Sequence, residues 1–364
     1  DTNAERFGTK VMKSSSTIAR FFSIPGAPMA LALIAMVTVF QLLNPVFLDG
    51  TTVGNYLTNG IPIILMTLGV GIVIIGGGID LSVGTVAGLS AGTTLFALVQ
   101  GAPLWLGIAV GAGTGLVFGL VNGLLVAYLR INDFIATLAT LNIAAGLLVV
   151  LSQAQPLQGV SDPSFSMLTK GSVMGIPPSF LIAAAIFLVA HLVLAKTIIG
   201  RQLYAVGISP QAANVAGVSV PRLRLLTFAA SGLLSGIAGV LLASRLGAVQ
   251  AFLGIGYEFI AIAGAVIGGI ALTGGRGSVL AALIGGLFLA TLQQGLRLNS
   301  VDPVFFSIFT ALAIVFGVVF ERQVRRIILG SALRRTAQGT AKDVQSMDHP
   351  KAATISEGDS VNDN

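Results

Sequence analysis

Long apolar runs recur along almost the whole chain and constrain its fold more than any other feature. A helix needs about 20 apolar residues to cross the hydrocarbon core of a bilayer, and ten such runs can be placed here. The predicted spans are 24–43, 57–77, 81–99, 103–128, 134–152, 179–197, 222–243, 256–273, 278–297 and 303–320. Because the runs are continuous rather than alternating, a transmembrane β-barrel is excluded. The sequence therefore predicts an all-α, polytopic integral membrane protein of about ten transmembrane helices.

The composition agrees with a fold in lipid. Only 9% of the 364 residues are charged, whereas a soluble protein carries about 25%. The chain has 46 glycines, nearly twice the average share of about 7%, and small residues allow membrane helices to approach closely. It has no cysteine, which excludes disulfides, thiolate catalysis and cysteine metal sites.

Basic residues at the ends of the predicted spans indicate the orientation. With the N-terminus inside, 17 of the 20 lysines and arginines face the cytosol, and only Lys170, Arg245 and Arg297 lie outside. The positive-inside rule disfavours the inverse arrangement, so both termini are predicted to be cytosolic. These span ends also explain the net charge of +6, without nucleic acid as a partner.

Two polar tails flank the predicted transmembrane domain of residues 24–325. Residues 1–23 form a polar N-terminal tail, and residues 326–364 form a basic and then polar tail. Both are poor in apolar residues, which predicts disordered cytosolic segments. The apolar segment after residue 23 lacks a clear small-residue cleavage site and is predicted to remain as the first span.

The motif GGGIDLSVG interrupts the apolar pattern. Asp80 is the only charged residue between Asp49 and Arg130. It precedes the third span, where a carboxylate can accept hydrogen bonds from free helix N–H groups. Two compatible interpretations are a helix cap at a tight cytosolic turn, and a glycine-softened break near the inner mouth of a pathway, with Asp80 holding one conformation. The candidate hinge comprises Gly76, Gly77, Gly78, Asp80 and Ser82.

The loop 198–220 is longer than the other predicted inner turns. Ser209 can cap a helix there, and Pro210 can occupy its first position. The residues PQAANVAG then give about two helical turns, which Gly217 ends. A short surface helix flanked by glycines is suited to docking a partner protein; the alternative is an ordinary connecting loop.

Four motifs resemble the membrane permeases of bacterial monosaccharide ABC importers, the ribose, xylose, arabinose and galactose-type systems. They are GGGIDLSVG, GRQLYAVGISPQAANVAGVSV, GYEFIAIAGAVIGGIALTGGRGS and LVNGLLVAYLRINDFIATLATL. The resemblance covers about residues 25–325. It implies an inner-membrane permease subunit that pairs with a second, identical or similar, permease subunit and receives sugar from a periplasmic binding protein. Ribose and xylose are the first candidates for that sugar. The resemblance also implies cytosolic ATPase subunits that hold ATP and Mg, with no cofactor on this chain.

The resemblance further implies that the loop at 200–220 is the coupling segment, which sits in a groove of the ATPase. The family usually has Asn-Glu ahead of the paired alanines, whereas this chain has Pro210 and Gln211, so a charge contact from that glutamate is missing. The predicted coupling residues are Gly200, Arg201, Tyr204, Gly207, Ser209, Pro210, Gln211, Ala212, Ala213 and Gly217.

The chain lacks the motifs of an enzyme. ATP hydrolysis needs a glycine-rich phosphate loop that ends in Gly-Lys-Ser/Thr, and no such run exists. The two histidines, His191 and His349, are not expected to form a metal site. The main alternative function is an ion-coupled secondary transporter or channel for a small polar solute. Such carriers place ionisable groups deep in their helices, and the predicted spans contain almost none away from their ends.

A sugar pathway should present neutral polar groups and an aromatic side chain. The candidate pathway residues are Asn122, Phe134, Thr137, Thr140, Asn142, Gln293 and Gln294. Thr137 and Thr140 share a helix face, from which Asn142 points away. The alternative for each of these residues is a hydrogen bond to a neighbouring helix. Glu258 is predicted at the outer start of the eighth span, where it either caps the helix or contacts the binding protein together with residues 153–178.

Overall fold

The computed structural model describes residues 27–158 and 163–306, together with 308–312, 315 and 319. Both predicted tails lie outside the described residues, as does part of the tenth predicted span. The helices are α1 (Ala27–Leu43), α2 (Gly50–Ile75), α3 (Val83–Val99), α4 (Leu104–Ala127), α5 (Asp133–Ser152), α6 (Pro163–Lys170), α7 (Pro178–Lys196), α8 (Ile198–Ile208), α9 (Pro210–Val215), α10 (Val220–Leu246), α11 (Tyr257–Ile267) and α12 (Val279–Leu298), followed by a 3-10 turn at Pro303–Phe305.

The prediction of an all-α membrane protein is confirmed. Among the described residues, six helices are long and apolar enough to cross a membrane: α2, α4, α5, α7, α10 and α12. The first nine predicted spans each contain one apolar helix. The number of crossings and the cytosolic location of the termini stay predictions.

Two predicted boundaries are wrong. The eighth predicted span, 256–273, contains a helix of only 11 residues, α11. It ends at Ile267 because Gly269 adopts a φ of +108°, which favours glycine. In the predicted loop 198–220, residues 198–208 form the helix α8, which Thr197 caps by accepting a hydrogen bond from the N–H of Gly200 at 3.3 Å.

Helices α2 and α10 form the centre of the fold. Every residue of α2 from Gly60 to Ile75 is buried. α10 packs on α4 through glycines: a side chain at Gly115 would collide with the backbone of Gly232 and Gly236. The backbones of the two helices therefore touch, which is how small residues stabilise helix pairs in lipid.

Helices α4, α5 and α7 lie at the periphery, and each buries one narrow stripe. In α5 the stripe repeats every fourth residue, from Ala136 through Ala144 to Ser152, as expected for a helix with one packed face. A two-stranded antiparallel sheet joins the segments that follow α5 and α10, with β1 (Leu157–Gln158) paired to β2 (Ala248–Val249).

Candidate functional site

The segment between α2 and α3, residues 76–82, is not helical, and we call it the break. α2 ends at Ile75, and Gly77 adopts a φ of +80°, a conformation that favours glycine. The break carries Asp80 into the interior, where it is only 1% exposed. A carboxylate that loses its water needs hydrogen-bond donors from the protein.

Asp80 receives three such hydrogen bonds. The N–H and the hydroxyl of Ser82 donate to its Oδ1 at 2.9 and 2.7 Å. The hydroxyl of Ser231, in α10, donates to its Oδ2 at 2.8 Å. Asp80 therefore faces neither water nor lipid, and it ties the break to α10. Ser82 is the N-cap residue of α3, so Asp80 stands ahead of that helix and does not cap it.

The hydrogen bonds continue to two further helices. The amide of Asn122, in α4, donates to the hydroxyl of Ser82 at 2.9 Å. The hydroxyl of Thr140, in α5, donates to the Oδ1 of Asn122 at 2.7 Å. All these side chains are buried. The polar network is the set Asp80, Ser82, Asn122, Thr140 and Ser231, and it joins the break to α4, α5 and α10.

The polar network lies inside the fold and not at a cytosolic turn. Ser231 is the twelfth residue of α10 and Thr140 the eighth of α5. A helix rises about 1.5 Å per residue, so the network sits roughly 10 to 17 Å from the first residues of these two helices. The tight cytosolic turn expected around Asp80 is therefore wrong, because the break enters the helix bundle.

Asp133 fastens the start of α5 to the break. Its Oδ2 accepts a hydrogen bond from the N–H of Ile79 at 2.7 Å, and its Oδ1 accepts one from the N–H of Phe134 at 3.0 Å. Asn132 caps the same helix end. The sequence analysis did not select Asp133, because an acidic residue next to an N-cap is common at the start of a helix. The signal that could have found it is that Asp133, like Asp80, is a carboxylate at the end of an apolar run.

The short helix predicted after Ser209 is present as α9. The hydroxyl of Ser209 accepts a hydrogen bond from the N–H of Ala212 at 3.2 Å, and Pro210 is the first helical residue. Gly217 turns the chain after the helix with a φ of +81°. Val215 is 89% exposed, so α9 presents an apolar side chain on the surface of the described fold.

The predicted coupling residues divide into an exposed and a buried group. The exposed ones are Arg201, Gln211, Ala212 and Gly217, and the fully buried ones are Gly200, Gly207 and Ala213. The half-buried Tyr204 donates a hydrogen bond to the carbonyl of Gly277 at 3.0 Å. Ser209 and Pro210 are half-buried as well. The exposed and half-buried residues can touch a partner, whereas the buried group holds the segment in place.

Glycines connect this segment to the break. The N–H of Gly275 donates to the carbonyl of Ile75 at 2.8 Å. A side chain at Gly207 would collide with that same carbonyl and with the amide of Gly275, and one at Gly274 would collide with Gly77. We call Gly77, Gly207, Gly274 and Gly275 the glycine junction. It brings the break, the end of α8 and the loop 268–278 into backbone contact.

Comparison with known proteins identifies the family. A family model described as a branched-chain amino acid transport system permease component matches residues 52–318. The ribose import permease of Bacillus subtilis is 36% identical over 294 residues, which is 80% of this chain and 91% of that protein. The chain belongs to the ABC importer permease family.

Other members of the family name further cargoes. The L-arabinose transport system permease of Escherichia coli is 36% identical to this permease over 68% of the chain and 75% of that protein. The autoinducer 2 import permease of an Enterobacter species is 34% identical over 79% and 84%. No solved structure matches the chain. The permease is a multi-pass inner-membrane protein, and its relatives are permease subunits rather than ATPases.

The candidate pathway residues do not form one surface in this conformation. Asn122, Thr137 and Thr140 are buried, and the hydroxyl of Thr137 donates to the carbonyl of Asp133 at 2.7 Å. Gln294 is 8% exposed and Gln293 is half-buried. Phe134 and Asn142 are exposed on α5. Asn122 and Thr140 therefore follow the alternative interpretation, a hydrogen bond between neighbouring helices. Of the candidate pathway residues, only Phe134 and Asn142 have exposed side chains.

Glu258 is not placed for contact with a binding protein. It is 3% exposed, and both of its carboxylate oxygens accept from the N–H of Gly256, at 3.0 and 3.1 Å. A side chain at Gly84 would collide with this carboxylate, so Glu258 lies against the first turn of α3, close in sequence to Asp80. The alternative of a cap at the start of α11 agrees with these hydrogen bonds, since Gly256 is the N-cap residue of that helix. The outer-face position of Glu258 stays a prediction. No group of three or more His, Asp or Glu side chains that could hold a metal ion occurs in the described part of the permease.

Proposed function

We propose that this permease is the membrane subunit of an ATP-driven importer that translocates a monosaccharide delivered by a periplasmic binding protein. The relatives named for ribose and L-arabinose support a pentose or hexose as cargo. Ribose and xylose are the first sugars to test, and the autoinducer 2 permease adds that compound to the panel.

The glycine junction is the observation that carries the coupling mechanism. Cytosolic ATPase subunits, which bind ATP and Mg, engage the exposed residues of α9. Their motion moves α8, and backbone contact at Gly207 passes it to Ile75 and the break. The break is tied through Asp80 to α10 and through Ser82 to α4, so these helices move as rigid bodies between two states. The two states bind the ATPase differently, as coupling requires.

A second permease subunit covers the exposed face of α5, which is apolar except for Asn142. Asn142 lies in the middle of this apolar helix and is exposed, and within the residues that the structure describes its amide donates only to the carbonyl of Leu138 in its own helix, at 2.8 Å. An amide is costly in hydrocarbon, so a neighbouring protein surface or a water-filled path is the favourable environment. The sugar pathway then runs between two copies, along Phe134 and Asn142.

The rival function is ion-coupled secondary transport. The buried Asp80 is the observation that favours it, since a carboxylate inside a membrane bundle is a default candidate for ion binding. Its carboxylate, however, is already occupied by hydrogen bonds from serine side chains and a backbone N–H. Membership of a family whose named relatives are ABC importer permeases also favours the ATP-driven function.

Uptake into proteoliposomes tests the proposal. The permease is reconstituted with its ATPase subunits, ATP inside and the binding protein outside, and radiolabelled ribose, xylose, arabinose, galactose and autoinducer 2 are compared. Accumulation should require ATP and the ATPase and should survive an ionophore. Uptake by the permease alone that an ionophore abolishes would establish the rival function instead.

A coupling variant separates docking from folding. Gly217→Val places a side chain in a backbone conformation with a φ of +81° that lies in open space, so it reshapes the end of α9 without a steric collision. We expect normal membrane insertion and a loss of sugar-stimulated ATP hydrolysis. Full sugar uptake by Gly217→Val would argue against the docking role.

A further inference from the structure

A cavity of about 510 Å³ lies between α7, α8 and α10, and none of the polar-network residues is among those that line it. Its size is within the range of small-molecule sites, about 300–1,000 Å³. Its lining is apolar except for Thr227, whose hydroxyl already donates to the carbonyl of Arg224 at 2.8 Å. A sugar needs polar groups around its hydroxyls, so this cavity is not a sugar site and fits a hydrocarbon.

The position of the cavity along the helices matches one leaflet of a bilayer. It is lined by residues 185–194 of α7 and 223–237 of α10, which at about 1.5 Å per residue span roughly 14 to 21 Å. The hydrocarbon core is about 30 Å thick, so one leaflet is about half of that. Both stretches lie at the helix ends next to α8, on the side where the basic residues cluster, which is the cytosolic side by the positive-inside rule.

Unpaired basic residues surround the same end of the cavity. Lys196, Arg201 and Arg222 are exposed, and each stands within two residues of a lining residue. In the part of the chain that the structure describes, none of the three forms an ion pair or a side-chain hydrogen bond. Basic pockets between membrane helices on the cytosolic side attract anionic lipid headgroups.

We propose that this cavity binds one acyl chain of an anionic phospholipid from the cytosolic leaflet, with Lys196, Arg201 and Arg222 holding its phosphate. The apolar lining receives the chain, and the three unpaired cations receive the negative charge.

The lipid would support the coupling segment. Leu203 of α8 lines the cavity and also touches Gly76 of the break, since a side chain at Gly76 would collide with it. An empty cavity leaves one side of α8 without packing, which lowers the rigidity that transmission through the glycine junction needs. This effect on coupling rests on the proposed function, whereas the binding of lipid does not.

Native mass spectrometry of the purified permease tests the binding. The wild type, incubated with phosphatidylglycerol or phosphatidylcholine of identical acyl chains, should retain one phosphatidylglycerol per chain in preference. Ala190→Phe and Ala230→Phe fill the cavity from α7 and α10 and should lose the retained lipid. Ala184→Phe, exposed on α7 and outside the lining, is the matched control and should keep it. Ala190→Leu repeats the test with a smaller side chain if the larger ones fold poorly.

The charge preference tests the headgroup contact. Each basic residue near a membrane surface contributes about 1 kcal/mol of attraction to anionic lipid, so Lys196→Gln/Arg222→Gln should weaken phosphatidylglycerol binding about 30-fold. Lys170→Gln, at the other end of the bundle, should change nothing. Equal retention of the two lipids by the wild type would overturn the proposal, as would undiminished retention by the filled variants or cross-linking of residues beyond 306 into the cavity.

Activity in nanodiscs tests the consequence for coupling. With partner subunits present, sugar-stimulated ATP hydrolysis by the wild type should be higher in phosphatidylglycerol than in phosphatidylcholine, and Ala190→Phe should abolish that difference. If no sugar stimulates hydrolysis in either lipid, the proposed function fails while the mass spectrometry still decides the lipid site. If stimulation is equal in both lipids, the coupling effect of the lipid is disproved.

Discussion

Asp80 and Glu258 are both buried carboxylates beside the first turn of α3, yet they are held in different ways. Asp80 accepts hydrogen bonds from two serines, one of them 151 residues away in α10. Glu258 accepts from a single N–H two residues before it. The first carboxylate therefore joins distant elements, and the second shapes its own loop. Burial alone does not show which acid matters for motion, whereas the origin of its hydrogen-bond donors does.

Removal of the Asp80 carboxylate should have the largest effect. Asp80→Ala leaves the two serine hydroxyls and the Ser82 N–H without an acceptor, at about 1–3 kcal/mol for each unsatisfied buried group. We expect a loss of more than about 3 kcal/mol and little folded protein. This loss of stability is measured by thermal unfolding in detergent, with size-exclusion chromatography to monitor the folded fraction. Asp80→Asn keeps one acceptor oxygen and should fold better; equal stability of Asp80→Ala and the wild type would remove Asp80 from the centre of the network.

The sequence predicted most of the helices correctly, but it did not predict where α11 ends. Apolar runs of about 20 residues predict helices directly, because backbone N–H and C=O groups in lipid must form their hydrogen bonds within the segment. The early end of α11 was not predictable from composition, since GGIALT after Ile267 is as apolar as the helix itself. That helix ends where Gly269 adopts a positive φ, and a side chain at Gly268 would collide with the carbonyl of Ala281, a contact that only the tertiary fold creates.

The candidate site was predictable as a set of residues but not as a network. Asp80, Asn122 and Thr140 stood out because polar side chains are rare in these runs. Ser231 gave no signal, because a serine in a helix rich in alanine and glycine is also typical of close packing. The burial of Glu258 could not be predicted, because the contact between its segment and Gly84 of α3 exists only in the tertiary fold.

Two glycine substitutions should distinguish the glycine junction, which is proposed to transmit motion, from the region around Glu258, which is not. A side chain at Gly207 meets the carbonyl of Ile75 at the glycine junction, and one at Gly88 meets the carbonyl of Leu253 near Glu258. Overpacking of this kind typically costs about 1–3 kcal/mol, so Gly207→Ala and Gly88→Ala should lower the melting temperature similarly. Only Gly207→Ala should reduce sugar-stimulated ATP hydrolysis. If Gly88→Ala lost as much sugar-stimulated ATP hydrolysis, the whole helix bundle, and not the glycine junction alone, would transmit the motion from the ATPase.

The two threonines of α5 test the reach of the polar network. Thr140→Val keeps the shape but leaves the Oδ1 of Asn122 without its donor from α5, at a cost of about 1–2 kcal/mol. Thr137→Val removes a hydroxyl that bonds only within its own helix and should cost less. Melting temperatures of the two variants decide this, and a larger fall for Thr137→Val would contradict the assigned hydrogen bonds.

Glu258→Gln should have the smallest effect, and its sign sharpens the contrast with Asp80. A glutamine retains an oxygen that can accept from the N–H of Gly256, and it brings no charge into the interior. The favourable interaction of a carboxylate with the start of α11 is worth about 0.3–1 kcal/mol, which the smaller desolvation cost of the neutral side chain offsets. We therefore expect a melting temperature within a few degrees of the wild type, unchanged affinity for the binding protein, and normal transport. A selective loss of binding-protein affinity would show that Glu258 becomes exposed in another state. Glu258 would then do more than shape its own loop, and the contrast with Asp80 would not hold.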